Sequence, residues 1–184
     1  MLQIKNATIN DCAFIARGVA MALHLEPSEH DLERIAYICK REDVLYSYRN
    51  TMIAWIDDER AGLCLCYDGG RYHTMREVTF PLFAGINVSD NDMDLEGADD
   101  ETCEGEYYID SVAVMPEFRR RGIAGQLIEA QMTKAKQTGF TKASLLVDPA
   151  NPNAQTLYRK LGFIHDGEVY AFGQTFWKWI KPLD

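Results

Sequence analysis

The 184-residue sequence has no apolar run near the roughly 18 residues that a membrane-spanning helix requires, so no span is predicted. It is also poor in basic residues, with 19 Lys and Arg against 28 Asp and Glu and a formal net charge of −9. Because nucleic acids and anionic membranes attract basic surfaces, this balance argues against both as partners. Hydrophobic residues make up 47% of the chain, enough for a sizeable core and too many for a disordered protein.

Cysteine pairs of the C-x-x-C type are absent as well. The chain has five cysteines, an odd number, and Cys64 and Cys66 fall on one face of a predicted strand, where thiols act as small apolar fillers. We therefore expect buried structural thiols rather than a metal or redox site. The opening MLQIKNATIND has no apolar leader segment, and with the free thiols this predicts a cytoplasmic protein without a metal.

Two common phosphate-binding motifs are missing, G-x-x-x-x-G-K-S/T and G-x-G-x-x-G. The chain has instead PEFRRRGIAGQLI at 116–128, where Arg119, Arg120 and Arg121 stand just before a predicted helix. Each cation there should oppose the helix dipole at a cost of roughly 0.3–1 kcal/mol. Gly122 and Gly125 would let a ligand approach the free backbone N–H groups of that turn. The pattern indicates either an anion site, most naturally for phosphate, or a solvated basic turn.

The hydrophobic pattern gives an order of predicted elements. A short strand, two helices and a hairpin with its turn at 57–60 come first. From residue 107 onward the order is strand–helix–strand–helix–strand, with a last hairpin around Gly173. This order predicts one α/β (α+β) domain over residues 1–184.

Residues 69–106 do not fit that order. From 87 to 106 the segment has nine acidic residues and no basic one. We interpret 69–106 as an insertion with one helical or irregular part and one solvated acidic loop. Such a loop could attract a cationic acceptor, although a solvated loop without that role is the simpler interpretation.

Three segments resemble the GNAT superfamily of acetyl-CoA-dependent N-acetyltransferases. In VMPEFRRRGIAGQLI, Arg119, Gly122 and Ala124 occupy the defining positions of its acetyl-CoA signature, Q/R-x-x-G-x-G/A. VDPANPNAQTLYRKLGF is similar to its second signature, and IKNATINDCAFIA to its usual opening, with Lys5 in place of arginine. The resemblance covers about residues 2–67 and 107–180 and leaves the insertion uncovered. It implies the GNAT fold, a mixed central sheet flanked by helices, with two parallel strands that splay apart.

By this resemblance, acetyl-CoA is the cosubstrate and its pantetheine arm enters the V-shaped gap between strands 107–114 and 142–147. Backbone groups of the first strand are expected to pair with the arm, and the turn and helix start to cradle the pyrophosphate. The cofactor-binding residues implied are Val112, Ala113, Val114, Arg119, Arg120, Arg121, Gly122, Ile123, Ala124, Gly125, Gln126, Asn151 and Tyr158. The N–H of Val112 is our candidate donor to the oxyanion of the tetrahedral intermediate.

The resemblance also implies that Tyr158 donates a proton to the leaving thiolate of CoA. Asn151 lies seven residues earlier, two helical turns back on the same side, and is either part of the site or only a helix cap. The general base is less defined, because Tyr108 stands where many relatives have a glutamate. Asp110, two residues later on the same face of the strand, is our candidate; Glu106 or no base at all are the alternatives.

The acceptor is expected to be a primary amine, with a small molecule favoured because the insertion would close the acceptor cleft. A protein N-terminus or lysine, or a non-catalytic acyl-CoA sensor, are the alternatives. The residues considered for the acceptor wall are Tyr37, Tyr72, His73, Tyr108 and Trp177. For His73 an exposed position is the simpler prediction, and for Trp177 and Trp179 packing in the core or in a homodimer.

Overall fold

The computed structural model describes residues 1–86 and 99–183. One mixed sheet contains the strands β1 (Leu2–Asn6), β2 (Thr51–Ile56), β3 (Glu59–Asp68), β4 (Tyr107–Val114), β5 (Lys142–Val147), β6 (Ile164–Ala171) and β7 (Gln174–Pro182). Their order across the sheet is β1-β2-β3-β4-β5-β7-β6. β4 and β5 pair in parallel, whereas every other neighbouring pair is antiparallel. This arrangement confirms the predicted fold class.

In the described part of the chain, five α-helices cover the two faces of the sheet: α1 (Cys12–Ala22), α2 (Glu29–Cys39), α3 (Tyr72–Phe83), α4 (Ile123–Gln137) and α5 (Pro152–Lys160). Helices α1, α2 and α3 pack into one hydrophobic core, and α4 and α5 contribute to the other. Within residues 1–86 and 99–183, the structure contains no helix that is both long and apolar enough for a membrane crossing.

Local sequence signals account for the element boundaries. The Ser28 hydroxyl caps α2 by accepting from Asp31 N–H at 3.1 Å. Pro152 occupies the first turn of α5, where its missing N–H costs nothing. The last hairpin turns at Phe172 and Gly173, both with left-handed φ, as a tight hairpin requires. The predicted elements outside the insertion are therefore confirmed.

Four of the five cysteines are buried, as predicted, while Cys103 is exposed. Cys64 and Cys66 lie on one face of β3 with their sulfur atoms 3.5 Å apart, inside the core beneath α4. These thiols fill space between the sheet and the helix.

The parallel strands β4 and β5 pair only at their starts. The paired residues are Tyr107 with Ala143, Tyr108 with Ser144 and Ile109 with Leu145, and the rest of β4 leaves β5. The separation begins at a β-bulge: Leu65 and Cys66 are adjacent on β3 but face Ser111 and Ile109, so Asp110 is an extra residue on β4. A bulge bends its strand and increases the local twist. The predicted splaying of these strands is thus confirmed.

Glu106 holds the closed end of this gap together. Its carboxylate contacts Lys178 Nζ of β7 at 2.8 Å and Lys142 Nζ of β5 at 3.1 Å. It also accepts from the Ser144 and Thr102 hydroxyls, each at 2.9 Å. Burial alone would raise the Glu106 pKa, but these hydrogen bonds outweigh it and lower that pKa to about 2.

The segment before β4 differs from the sequence interpretation. The helical part of the insertion is α3, but Glu101 and Glu106 are only 8% and 2% exposed, rather than part of a solvated loop. Both carboxylates are buried because hydroxyl or ammonium groups surround them, as buried acids require. Of the acidic run predicted over residues 87–106, the part at 87–98 lies outside the described residues.

Candidate active site

Two of the three arginines before α4 fold back onto the turn that carries them. Arg119 Nε donates to Val114 O at 3.0 Å, and Arg121 Nη2 donates to Glu117 O at 3.1 Å. Arg120 has a left-handed φ of 63° and an exposed side chain that bonds to nothing in the described part of the chain. Arg119 and Arg121 thus stabilise the turn through its carbonyl groups, and Arg120 is available to a ligand.

The first turn of α4 presents unpaired backbone N–H groups. Gly122 precedes the helix with a left-handed φ of 75°, and no side chain caps it. The N–H of Gln126 makes the first helical bond, to Gly122 O at 3.3 Å, so those of Ile123, Ala124 and Gly125 have no helical partner. Uncapped N–H groups beside an exposed arginine suit an anion.

The edge of β4 that faces the gap is also open. Met115 N–H donates to Ala61 O of the β3 side at 2.9 Å. Because consecutive residues of a strand direct their backbone groups to opposite edges, those of Val114 and Val112 point into the gap. The backbone groups of Ala113 alternate with these and point at β3, so Val112 and Val114 are the two members of the predicted set placed for an extended ligand.

A pocket of about 400 Å³ occupies the gap. Val112 of β4, Leu146 and Val147 of β5, and Ala154 and Tyr158 of α5 form one part of its wall. Side chains from the opposite face of the sheet form the other part, and the described ones include Leu23, Tyr46, Phe80, Phe83, Glu101, Tyr108, Asp110, Phe172 and Phe176. The pocket therefore connects the two faces of the sheet between the splayed strands.

Tyr158 is placed on this wall by α5. Its ring packs edge-on against Phe163 with the centroids 6.0 Å apart, which fixes its direction. Its hydroxyl makes no hydrogen bond to another residue of 1–86 or 99–183, and burial raises its pKa, so it stays protonated at neutral pH. Asn151 lies beside it and accepts from Ala154 N–H at 3.0 Å, so it does cap α5 while lining the pocket.

Asp110 points into the same pocket from the bulge of β4. It accepts from Tyr67 Oη and from Ser111 Oγ, both at 2.6 Å. Burial raises the pKa of this carboxyl, although the two hydroxyl donors oppose that effect. The structure thus places the candidate acid and the candidate base on the wall of one cavity, and their roles stay predictions.

Glu101 is a site residue that the sequence interpretation missed. It lines the pocket, and its carboxylate accepts from the hydroxyls of Tyr72, at 2.7 Å, and Tyr108. Burial and the neighbouring charge of Asp110 raise its pKa to about 7. Tyr108 therefore occupies the strand position where the family resemblance leads us to expect a glutamate. Its hydroxyl instead holds Glu101, from the segment before β4, in the pocket.

The predicted acceptor wall is corrected at several positions. Tyr37 is 72% exposed on α2 and Trp177 lines a different cavity, so neither is in the wall. Tyr72 is buried behind Glu101 rather than exposed to the pocket. His73 is exposed on α3 beside Asp100 and Glu77, in agreement with the simpler prediction.

A second cavity of about 510 Å³ lies between α5 and the last hairpin. Its wall contains Arg159, His165, Trp177 and Trp179 and shares no residue with the first pocket. This second cavity does not open into the gap between β4 and β5 and has no tyrosine beside a carboxylate among its described lining residues. We therefore treat the pocket of about 400 Å³ in the gap as the candidate active site. No group of three metal-binding side chains occurs in the part of the chain that the structure describes.

The start of α4, with its free N–H groups, lies beside the gap between β4 and β5, and the gap contains a pocket with two carboxylates and a tyrosine. This arrangement is that of an acyl-CoA acetyltransferase fold. The family model described as "Acetyltransferase (GNAT) family" matches residues 20–163, more than half of the chain. The chain belongs to the GNAT family of acetyltransferases.

The individual relatives and structures compared here with this chain have low sequence identity to it. An L-methionine sulfoximine/L-methionine sulfone acetyltransferase of Pseudomonas aeruginosa is 30% identical over 70 residues, which are 38% of this chain and 41% of that protein. An N-acetyltransferase structure from Staphylococcus aureus Mu50 superposes with a TM-score of 0.77 at 22% identity, over 97% of this chain and all of that one. The PaiA N-acetyltransferase of Thermoplasma acidophilum, solved with coenzyme A, gives 0.59 at 13% identity over 99% of each chain. These structures share the fold.

Proposed function

We propose that the protein transfers the acetyl group of acetyl-CoA to a primary amine of a small molecule. The observation that carries this proposal is the pocket in the β4–β5 gap, which holds Tyr158, Asp110 and Glu101 next to the open edge of Val112. Family membership and the coenzyme A bound to a structural relative support the cosubstrate.

The cosubstrate fits the described geometry in three parts. The pyrophosphate binds the N–H groups of Ile123, Ala124 and Gly125, with Gln126 and Arg120 at the surface beside them. The pantetheine arm pairs with the open edge at Val112 and Val114. The thioester then lies in the pocket near Tyr158. The N–H groups at the start of α4 have no helical partner, and a bound pyrophosphate would satisfy them; at the β4 edge, Val114 O already accepts from Arg119 Nε.

The chemistry requires the acceptor to be neutral, and an alkyl ammonium has a pKa near 10.4. A pocket carboxylate takes its proton: Asp110, our sequence candidate, or Glu101 beside it. The amine lone pair attacks the thioester carbonyl carbon and a C–N bond forms. The oxyanion accepts a hydrogen bond from Val112 N–H, whose amide points into the gap. The oxyanion collapses to the amide carbonyl as the C–S bond breaks, and the thiolate takes the Tyr158 hydroxyl proton. The newly bonded nitrogen releases its second proton, which restores the Tyr158 hydroxyl through solvent.

A small acceptor fits better than a protein segment, because the described wall is a pocket of about 400 Å³ rather than an open groove. The Pseudomonas relative, whose name gives two amino-acid derivatives as acceptors, supports a small molecule as well. A non-catalytic sensor is disfavoured, since it has no use for a free tyrosine hydroxyl beside two carboxylates.

Two measurements test the proposal. Coenzyme A at about 100 times its dissociation constant should raise the free energy of unfolding by about 2.7 kcal/mol, seen as a rise in Tm. A free-thiol release assay with acetyl-CoA and a panel of small amines should show turnover. A Tm that coenzyme A leaves unchanged contradicts the cosubstrate, and binding without turnover on any amine favours the sensor.

A further inference from the structure

The acceptor end of the pocket has two carboxylates in a wall that is otherwise mainly aromatic and aliphatic, with His24 and Gln174 as further polar members. Glu101 and Asp110 are its carboxylates on this side of the sheet, and neither forms an ion pair with a basic side chain of the described residues. The surrounding wall is formed by Leu23, Tyr46, Phe80, Phe83, Phe172 and Phe176. An acceptor must therefore present a cation at one end and an apolar surface over the rest.

Among the described residues, this wall has no Lys or Arg that could neutralise an acceptor carboxylate. His24, at the end of α1, is the one imidazole of the described lining. The nearby Arg76 pairs with Asp100 at 3.0 Å and lies over the Tyr72 ring; its charge lowers the Glu101 pKa slightly against the larger effect of burial, but it forms no ion pair with Glu101. Residues 87–98, which the structure does not describe, contain no Lys, Arg or His in their sequence.

The hydroxyls around the two carboxylates fix where the cation binds. Tyr72 and Tyr108 hold Glu101, and Tyr67 and Ser111 hold Asp110, so both acids are fixed in position. Hydroxyl donors leave the negative charge in place, and a buried charge without a counter-ion is unfavourable. An ammonium group supplied by the acceptor would provide that counter-ion.

We propose that the acceptor is a primary amine on an apolar or aromatic body, without a carboxylate, whose ammonium binds between Glu101 and Asp110. The inference rests on the proposed acetyl transfer and specifies its acceptor. It separates this protein from enzymes of α-amino acids, because a carboxylate next to the amine would lie beside two acids. It also disfavours polyamines, whose second cation would have to enter the aromatic wall.

The test compares matched acceptors on the full chain with acetyl-CoA at saturation. The pairs are 2-phenylethylamine with L-phenylalanine and 3-(methylthio)propylamine with L-methionine; L-methionine sulfoximine and spermidine complete the set. Like-charge contacts cost several kcal/mol, so we expect kcat/KM for each amine to exceed that for its amino acid at least about 100-fold. The amide of L-phenylalanine, which lacks the anionic charge, should recover most of the difference.

Glu101→Gln identifies the cause of that preference. It should lower kcat/KM for 2-phenylethylamine at least about 10-fold and reduce the ratio of amine to amino acid, whereas Glu101→Asp should retain part of both. Glu104→Gln, an exposed acid in the same segment, should change neither quantity. The comparison of acceptors on the unmodified protein decides the question even where a variant does not fold.

The outcomes separate the two proposals. Amino acids or spermidine used as well as the monoamines would overturn the acceptor class and leave acetyl transfer standing. Coenzyme A binding without transfer to any compound would overturn both. A Glu101→Gln variant with an unchanged ratio would remove Glu101 as the origin of the specificity.

Discussion

Tyr158 shows how one side chain acquires a chemical role from its surroundings. Its ring is held by Phe163, and its hydroxyl, on the pocket wall, has no hydrogen-bond partner among the residues that the structure describes. Tyr158 is half-buried on the pocket wall, so its hydroxyl can meet a ligand atom in the pocket. The second signature motif predicted this position, because the helical spacing from Asn151 places both residues on the pocket side of α5.

The Tyr158→Phe variant is expected to lose turnover while keeping the cofactor. Removing a general acid typically lowers kcat by about 10²–10⁴. The packing of the ring is retained, so the dissociation constant of coenzyme A should stay within about twofold. The initial rate of free-thiol release at saturating substrates gives kcat, and isothermal titration calorimetry gives the dissociation constant of coenzyme A. Equal turnover in the two proteins would remove Tyr158 as the proton donor.

Glu101 could not be predicted in the same way. It lies in an acid-rich stretch whose composition is typical of a solvated loop, and its burial depends on tyrosine hydroxyls from α3 and β4, far apart in sequence. Asp110 was predictable as a pocket residue from strand alternation, but its place in a bulge was not. Contacts between distant segments leave no local sequence pattern.

The pH dependence of catalysis follows from Glu101. With its pKa raised to about 7, the carboxylate form that accepts a proton accumulates as the pH rises through 7. The rate constant kcat/KM for an amine should therefore rise over that range, and Glu101→Gln should abolish this limb. The raised pKa also means that the charged form opposes folding, so Glu101→Gln should be at least as stable as the unmodified protein above pH 7. A pH–rate profile unchanged by the substitution would contradict the assignment.

At the level of elements, the β4–α4 turn was well predicted, but the role of each arginine was not. Sequence spacing locates the helix start, since a glycine signature and an amphipathic helix follow each other directly. Which arginine folds back depends on the positions of the Val114 and Glu117 carbonyl groups, which only the folded turn defines. Arg119 and Arg121 are thus placed on local acceptors that reduce the dipole penalty.

Gly122→Glu is expected to abolish coenzyme A binding by placing a carboxylate where we propose that the pyrophosphate binds. Gly139 provides a matched control at the other end of α4: both glycines have left-handed φ, 75° and 90°, and a Cβ at either position meets no atom within 4 Å. Gly122→Glu and the control Gly139→Glu should therefore lower the free energy of unfolding by similar amounts, about 1–2 kcal/mol. Only Gly122→Glu should lose the Tm rise with coenzyme A. Retained binding there would show that the phosphates lie elsewhere.

Glu106→Gln should loosen the closed end of the gap. The substitution leaves Lys178 and Lys142 without their partner, and since Lys142 is 37% exposed we expect a loss on the order of 2–3 kcal/mol, below the cost for a fully buried pair. Urea unfolding would measure it, with Glu104→Gln as the exposed control. The folded pKa of about 2 lies below the usual value for glutamate, so this contribution is full above about pH 4.5 and disappears as the pH falls toward 2. A stability difference that stays constant over this range would contradict the ion-pair network.

For the whole molecule, the architecture followed from the order of periodic segments and two motifs. The stretch 69–106 resisted prediction because the acids at 101 and 106 satisfy tertiary partners rather than local ones. A homodimer through the last hairpin stays a prediction. If analytical ultracentrifugation shows dimers, the residues around the cavity beside Trp177 are the ones to mutate.

The extra residue in β4 lies where the opening in the sheet begins. Deleting position 110 would leave every other β3–β4 pair intact, because Ile109 would still face Cys66 and Ser111 would still face Leu65. The straightened strand would then be free to continue its ladder along β5, and the slot for the thioester would close. The opening between β4 and β5 thus depends on the number of residues in β4. Deleting residue 110 should lower turnover more than any single side-chain replacement in the same stretch.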